Sequence, residues 1–461
     1  MKATALCRCL NIPHLVFIGI VMFSGLFYAS AQTAGNNAVY NSSGSCTSCA
    51  ASSAFIDASM FLGSSGTNKG VDLCDIIYKI LNGTITTGYT AGAVIDARGL
   101  GNSALSGSPL TCTKGSPWQE GSSSVSSASN ILLPAGTIVT PSTWVLPPNT
   151  HVTGEGDSLL APATSTIIQV ANTFTGDIID LCSVACTGVA IENVVLNGNG
   201  SSANGLVNSF AGNLSYVNHV GLYQILGTGL LVSGSASGSG PYTNINFNTG
   251  SAIPSTKTVC AQIKDLTGTN GIRELGCITP GPDPPAAVLL DSSNNSIKDV
   301  TISGFYDGIL IGANATAHNN VLINVIGDTR TQSCFPHCIN PINAVHISST
   351  NVVSDLTIVG LSNEGGTGTS TLRDDTTSTN LTPLTGDTVV GLYSLGKKTT
   401  SNTFARFTTS PSVPTWATGT ASPSGSCAQG SVYSCTGSSS SCGTYAVWGC
   451  PVPGGSWQGI M

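Results

Sequence analysis

A four-residue pattern recurs through the middle of this 461-residue chain: Asn, Asp or His, an aliphatic, any residue, then an aliphatic, aromatic or small residue. It opens at Asn193, His219, Asn244, Asp265, Asp299, Asn320 and Asp355, in steps of 26, 25, 21, 34, 21 and 35 residues. A sequence period of roughly 20–50 residues marks a solenoid, in which each turn buries its apolar side on its neighbours. Between the repeats lie short apolar runs such as Ala93-Val94-Ile95 and Ile131-Leu132-Leu133, broken by Gly, Asn, Ser and Pro. Such runs are strands joined by turns. The expected unit is a coil of two or three short strands, each pairing in parallel with its counterpart on the next coil. Aliphatic side chains would stack inside, and Asn at a recurring turn would tolerate left-handed angles and bond along the stack. A β-sandwich array with chance spacing is the competing reading.

Composition narrows the function classes. Charged residues make up only 8% of the chain, with 15 basic and 22 acidic side chains and a net charge of −7. A basic excess that would hold nucleic acid is missing. Surface helices need Glu, Lys and Arg, so the low charge also argues against a helical protein. A hydrophobic content of 41% argues against disorder.

The first 31 residues read as a signal peptide. Lys2 and Arg8 precede an uncharged apolar run at 15–28, and Ala29-Ser30-Ala31 supplies a small-x-small cleavage site before Gln32. The expected location is secreted or cell surface, with no membrane span after signal removal. Of the 16 cysteines, 14 remain after cleavage. An even number in an oxidising compartment favours disulfides over metal. Cys182–Cys186 and Cys334–Cys338 are expected local staples, and Cys46-x-x-Cys49 is read the same way.

The organisation follows from these signals. After the signal peptide (1–31) comes a low-complexity stretch (32–70), then an N-terminal cap region (71–130). In the cap, Leu73, Ile76, Ile77 and Ile80 share one face of a helix expected over 72–81. The coils occupy 131–412. Residues 413–461 form a small β-module held by Cys427, Cys435, Cys442 and Cys450, whose pairing the sequence leaves open. Trp416, Trp448 and Trp457 are read as its core rather than a sugar platform, because a module so small needs large apolar groups.

Several segments carry a family likeness. They are the 72–81 helix, Gly92-Ala93-Val94-Ile95-Asp96-Ala97-Arg98-Gly99, the run from Ile131 through Ile138, His151-Val152-Thr153-Gly154-Glu155-Gly156, and Ser303-Gly304-Phe305-Tyr306-Asp307-Gly308-Ile309. On these, residues 70–412 resemble the pectin-lyase-like superfamily, as a secreted bacterial-type member. The resemblance implies an all-β fold: a right-handed parallel β-helix (β-solenoid) with a short N-terminal capping helix and a small C-terminal β-module. It also implies action on an extracellular polysaccharide, as a lyase or glycoside hydrolase. A non-catalytic surface protein that binds or attaches to glycans is the alternative.

The family's catalytic signatures are not recognisable. Asp374-Asp375 reads as a solvated loop, and Asp177 and Asp180, three apart, are expected on opposite sides of a strand. His151, His219, His318 and His346 are scattered singly and read as satisfied coil residues. The constellation left is Asp307, Asp328, Arg330 and His337. Asp307 follows the Asp299 pattern by 8 residues and Asp328 follows the Asn320 pattern by 8. Equal offsets on adjacent coils would stack the carboxylates about 4.8 Å apart, near the spacing of a retaining glycosidase. Arg330 would bind an acidic sugar group and His337 would carry a proton. No cofactor is called for, with Ca²⁺ reserved for lyase chemistry.

Overall fold

The computed structural model describes residues 39–40, 46–48, 55–61 and 72–85, then 91–103, 110–158, 163–279, 284–327, 343–363, 370–375 and 388–394, apart from 114 and 253. Beyond these it describes 416–424, 426–427, 431–436, 438–442, 447–451 and 455–460. The signal peptide, Cys49, Cys334–Cys338, Asp328, Arg330 and His337 lie outside the described residues.

The architecture is a parallel β-helix. Two long parallel walls alternate along the chain. The first wall runs through Ala190–Ser201, Tyr216–Ile225, Tyr242–Asn248, Ile272–Ile278, Ser296–Ser303, Val321–Gly327, Thr357–Asn363 and Thr388–Ser394. The second runs through nine strands, from Trp144–Leu146 and Asp177–Leu181 to Asp307–Ile311, Asn343–Ile347 and Ser370–Asp374. Between the walls lie columns of apolar side chains in register. Ile191, Val217, Tyr242, Ile272, Ile297, Leu322 and Ile358 form one column. Ile179, Leu206, Leu230, Ala261, Val288, Ile309, Val345 and Leu372 form its counterpart on the second wall. Every member of these columns is buried to 1% exposure or less. This stacking of like on like is the main source of stability, at about 25 cal/mol per Å² of apolar surface removed from water.

The bend in the first wall explains the Asn-rich repeat. One residue per coil takes a left-handed conformation there: Asn193, His219, Asn244, Glu274, Asp299, Asn324 and Gly360, with φ between 52° and 68°. Asn and Gly tolerate this region best. The side chains bond along the stack, Asn324 Nδ2 donating to Asp299 Oδ1 at 2.8 Å and Asn244 to Asn218 at 3.3 Å. The steps in this column are 26, 25, 30, 25, 25 and 36 residues. The first three members and Asp299 match the sequence pattern. The other three hold the places that the pattern gave to Asp265, Asn320 and Asp355: Glu274 and Gly360 do not fit it, whereas Asn324-Val325-Ile326-Gly327 fits it as the segment at Asn320 does. Asn320 instead is buried, and its Oδ1 accepts the backbone N–H of Asn295 at 2.9 Å.

The N-terminal helix covers Leu73–Leu81, with Asp72 as its N-cap accepting from the Asp75 N–H. The other Asp72 oxygen accepts from the backbone and hydroxyl of Thr113. A Cys74–Cys112 disulfide adds a covalent tie to the first coils. The helix buries Leu73, Ile76, Ile77 and Ile80, and so covers a tube end that would otherwise offer apolar surface and unpaired strand edges. Cys182–Cys186 forms the expected local bridge, and Cys260–Cys277 crosses the interior between the walls. In the C-terminal module the bridges are nested, Cys435–Cys442 inside Cys427–Cys450. Among the described residues no helix is long and apolar enough to cross a membrane.

Candidate functional site

The second wall begins each strand with a corner that matters for chemistry. At its corner Ile178 and Ile179 are both buried, whereas Asp177 and Asp180 on either side are partly exposed. Two consecutive inward residues break strict alternation, so residues three apart return to the same outer side. The sequence expectation that Asp177 and Asp180 face opposite ways is therefore corrected. The following coils repeat the corner with small residues at its inner position: Gly205, Gly229, Gly308 and Ala344. A Cβ at Gly229 would lie 2.6 Å from the Cys260 carbonyl, and one at Gly308 would overlap the carbonyl of Ala344.

Asp307 occupies the first outer position of this corner, and its register partner on the next coil is Asn343. The neighbouring pair is Leu310 and His346. Asn343 Nδ2 donates to Asp307 Oδ1 at 2.6 Å. His346 Nδ1 meets Asp307 Oδ2 at 2.8 Å, and its Nε2 meets Asp375 Oδ2 at 3.0 Å. Arg373, the partner of His346 on the following strand, grips Asp375 through Nε at 2.9 Å and Nη2 at 2.7 Å. The result is a chain, Asp307–His346–Asp375–Arg373, running from the interior to the surface. The Asp307 side chain is 5% exposed and that of Asp375 is 35% exposed. Tyr306, 40% exposed, directly precedes Asp307 in the chain and lies near Arg373.

The electrostatics follow from this order. Burial alone would lower the His346 pKa, but the hydrogen bonds and charges of Asp307 and Asp375 outweigh it, and the net shift is upward. Burial alone would raise the Asp375 carboxyl, but Arg373 and His346 hold it below the ordinary range. The cluster therefore favours an imidazolium between two carboxylates. The carboxylates bracket the ring from opposite sides. They do not converge on a point, and no metal-ligand group of three or more His, Cys, Asp or Glu is found among the described residues.

Of the residues singled out from sequence, Asp307 lies in this cluster. The equal-offset argument for pairing it with Asp328 does not hold, because Asp299 registers with Asn324 and not with Asn320. Sequence reasoning passed over His346, Arg373 and Asp375. Asp374-Asp375 is no solvated loop: Asp374 ends a wall strand at 4% exposure, and Asp375 is paired twice. The signal that could have found His346 is its place three residues after Asn343, as Leu310 follows Asp307. The long insertion between these coils hides that equivalence. The other histidines stay in coil roles. His318 Nδ1 bonds Ser354, His151 stacks edge-on against Tyr216, and His219 belongs to the left-handed column.

A second acidic pair sits far along the same wall. Desolvation and the charge of Asp177 push the Asp180 carboxyl up to about 7. Asp177 accepts from Asn204 Nδ2 at 2.8 Å. Six strand steps separate it from the His346 strand, roughly 29 Å at the usual strand spacing, so the two do not form one centre.

No protein-family model matches the chain, and no curated relative does. Solved structures give distant likenesses. The mannuronan C-5 epimerase A-module of Azotobacter vinelandii is 14% identical at a TM-score of 0.25, covering 58% of this chain and 91% of that one. An alginate lyase from Paenibacillus sp. is 12% identical at 0.27, covering 57% and 92%. The Dettilon tailspike protein is 11% identical at 0.30, covering 57% and 62%.

Proposed function

We propose that the protein is a polysaccharide lyase that works on a uronate-bearing polymer laid along the outer face of the second wall. The observation that carries this reading is the Asp307–His346–Asp375–Arg373 chain beside the exposed phenol of Tyr306. Two-carboxylate hydrolysis needs acids flanking a glycosidic bond. Here one carboxylate is buried behind the imidazole, which removes it from the substrate. Elimination has different needs: cations on the uronate carboxylate, and one group to move a proton. Arg373 and His346 supply the cations. The substrate carboxylate takes the place of Asp375 between them, in the bidentate geometry that Arg already makes. Tyr306 then removes the proton from the carbon next to the carboxylate. The bond to the leaving glycosidic oxygen breaks, a carbon–carbon double bond forms, and the proton passes to that oxygen. Asp307, held by Asn343, fixes the ring and keeps it charged. Ca²⁺ brought by the polymer would help to neutralise the substrate carboxylate, so the assay includes a chelator arm.

One observation supports the non-catalytic alternative. Both ring nitrogens of His346 are already bonded, as expected of an ion lock in a wall that only holds glycan. The two readings separate by assay on a panel of polyuronates, with and without chelator, following the unsaturated product. The lyase reading expects product from the wild type, loss of at least about a hundredfold in His346→Ala and Tyr306→Phe, and retained polymer binding. Absence of product across the panel, or full activity in Tyr306→Phe, would leave the binding protein.

A further inference from the structure

The C-terminal module has an unusual division between core and surface. Among its described residues the buried side chains are Cys427, Cys435, Cys442, Cys450 and Ser431. No aromatic ring is among them, although the Trp448 Nε1 is itself shielded from solvent. Trp448 and Trp457 are half-buried, as is Tyr433. Tyr433 and Trp448 are direct partners across an antiparallel pair, Val432–Cys435 with Val447–Gly449. Cross-strand partners project from the same face, with Cβ atoms about 5 Å apart. Trp457 joins them edge-on, its ring centroid 5.8 Å from that of Tyr433 at an interplanar angle of 61°. On the other side the strand partner of Trp448 is Gly459, which has no side chain to lay over the indole. The Tyr433 hydroxyl donates to the Ala421 carbonyl at 2.8 Å, and the ring lies over Gly419, where a Cβ would overlap that hydroxyl. The rings are thus held in fixed positions, each partly buried and partly open to solvent.

The charge pattern around them names the kind of ligand. From 407 to 461 the chain has no Asp, Glu, Lys, Arg or His. Apart from the aromatic residues, its polar side chains are Ser and Thr hydroxyls and the amides of Gln429 and Gln458. A surface without charge has nothing with which to neutralise a phosphate or a uronate. Rigid aromatic faces beside neutral hydroxyl donors and acceptors complement a ligand with an apolar face and a hydroxyl rim. We infer that the Tyr433–Trp448–Trp457 face is a binding site for a neutral polysaccharide, whose sugar rings stack on the aromatics. This site is separate from the acid–base cluster and does not rest on the lyase reading.

The test is native affinity electrophoresis of the full chain in gels containing a soluble neutral β-glucan, a neutral xylan, a polyuronate, or no polymer. A neutral polymer is expected to retard the wild type, equally at low and high salt, because no charges are there to be screened. Trp448→Ala and Trp457→Ala should each weaken retardation by about tenfold, whereas Trp448→Phe, which keeps a ring, should retain most of it. Tryptophan fluorescence of the wild type should shift on adding the same polymer, a readout that needs no variant. His346→Ala should be retarded like the wild type. The inference is overturned if no neutral polymer retards the wild type, if Trp448→Ala and Trp457→Ala bind the neutral polymer undiminished, or if they lose retardation by the polyuronate as fully as by the neutral polymer. Partition onto zwitterionic phospholipid vesicles in place of polymer binding would likewise overturn it and assign the rings to a lipid surface.

Discussion

The coiled tube and the C-terminal module solve the same problem by opposite means. The tube buries column upon column of Ile, Leu and Val, and each coil needs its neighbours to do so. Among its described residues the module fully buries little besides its four cysteines, and its rings at Tyr433, Trp448 and Trp457 stay partly exposed. Both are poor in charge, yet for different reasons. The tube walls are surfaced by sheet residues such as Thr, Ser and Asn, while the module has no charged side chain at all. The contrast shows that apolar content alone does not report a core. In the tube aliphatic residues are structure, and in the module aromatic residues are left for contact with something else.

Reduction should break this contrast most sharply. Each module bridge is worth about 2–4 kcal/mol, and little apolar burial stands behind it. Reducing and alkylating the folded protein should release the module while the coils keep their strand signal. Limited proteolysis followed by mass analysis would show cuts confined to the region beyond 412. Cuts spread evenly through the coils would mean that the tube depends on its bridges as heavily as the module does.

Core truncation should give the reverse pattern. Ile309→Ala removes one step from a buried column and is expected to cost about 3 kcal/mol. Denaturant titration should show the tube transition moving while the module's near-ultraviolet signal stays. A smaller effect is expected at the left-handed column. Asn244→Ala should cost about 1 kcal/mol and Asn244→Gly close to nothing, since only the first places a Cβ in a disfavoured region.

The smallest effects are those of pH. His346 has a raised folded pKa, so its contribution is complete below the ordinary histidine value and is lost as pH rises through the folded value. Asp375 has a lowered one, so its contribution is present above the ordinary aspartate value and is lost as pH falls through the folded value. The stability difference between wild type and His346→Gln should therefore be greatest in mildly acidic solution and shrink toward alkaline pH. Asp180 runs the other way. Its carboxyl, pushed up to about 7, makes the folded state bind the extra proton, so Asp180→Asn should become relatively stabilising as pH rises from about 4 to above 7. Thermal melts across that range would check both signs.

How much of this the sequence discloses depends on how local each feature is. The capping helix was legible because its face and its Asp72 cap lie close together in the chain. The coil repeat was legible where Asn or His holds the left-handed position. It slipped where Glu274 and Gly360 take that position, since neither fits a pattern built on Asn, Asp and His. Asn320 and Asn324 both open a matching segment, and only Asn324 is in register with Asp299, so the equal offset of Asp307 and Asp328 has no basis in the coils. The His346 cluster was hidden for a related reason. Its members come from three successive coils, with a separation of 36 residues between Asp307 and Asn343. Contacts between coils depend on register, and insertions conceal register. The corner at Ile178 and Ile179 defeated the two-residue period in the same way.

The Cys260–Cys277 bridge has a mechanical consequence. It joins a strand of one wall to the following strand of the other, a sequence separation of 17 residues. A chain pulled from its ends unravels coil by coil, and each freed residue adds at most about 3.5 Å of length. At this bridge the enclosed residues cannot extend, so the oxidised protein stops roughly 50–60 Å short of the contour its reduced form reaches through the same segment. Held under tension at a cell surface or on a polymer, the protein would carry a fixed reserve of length that only a reductant releases.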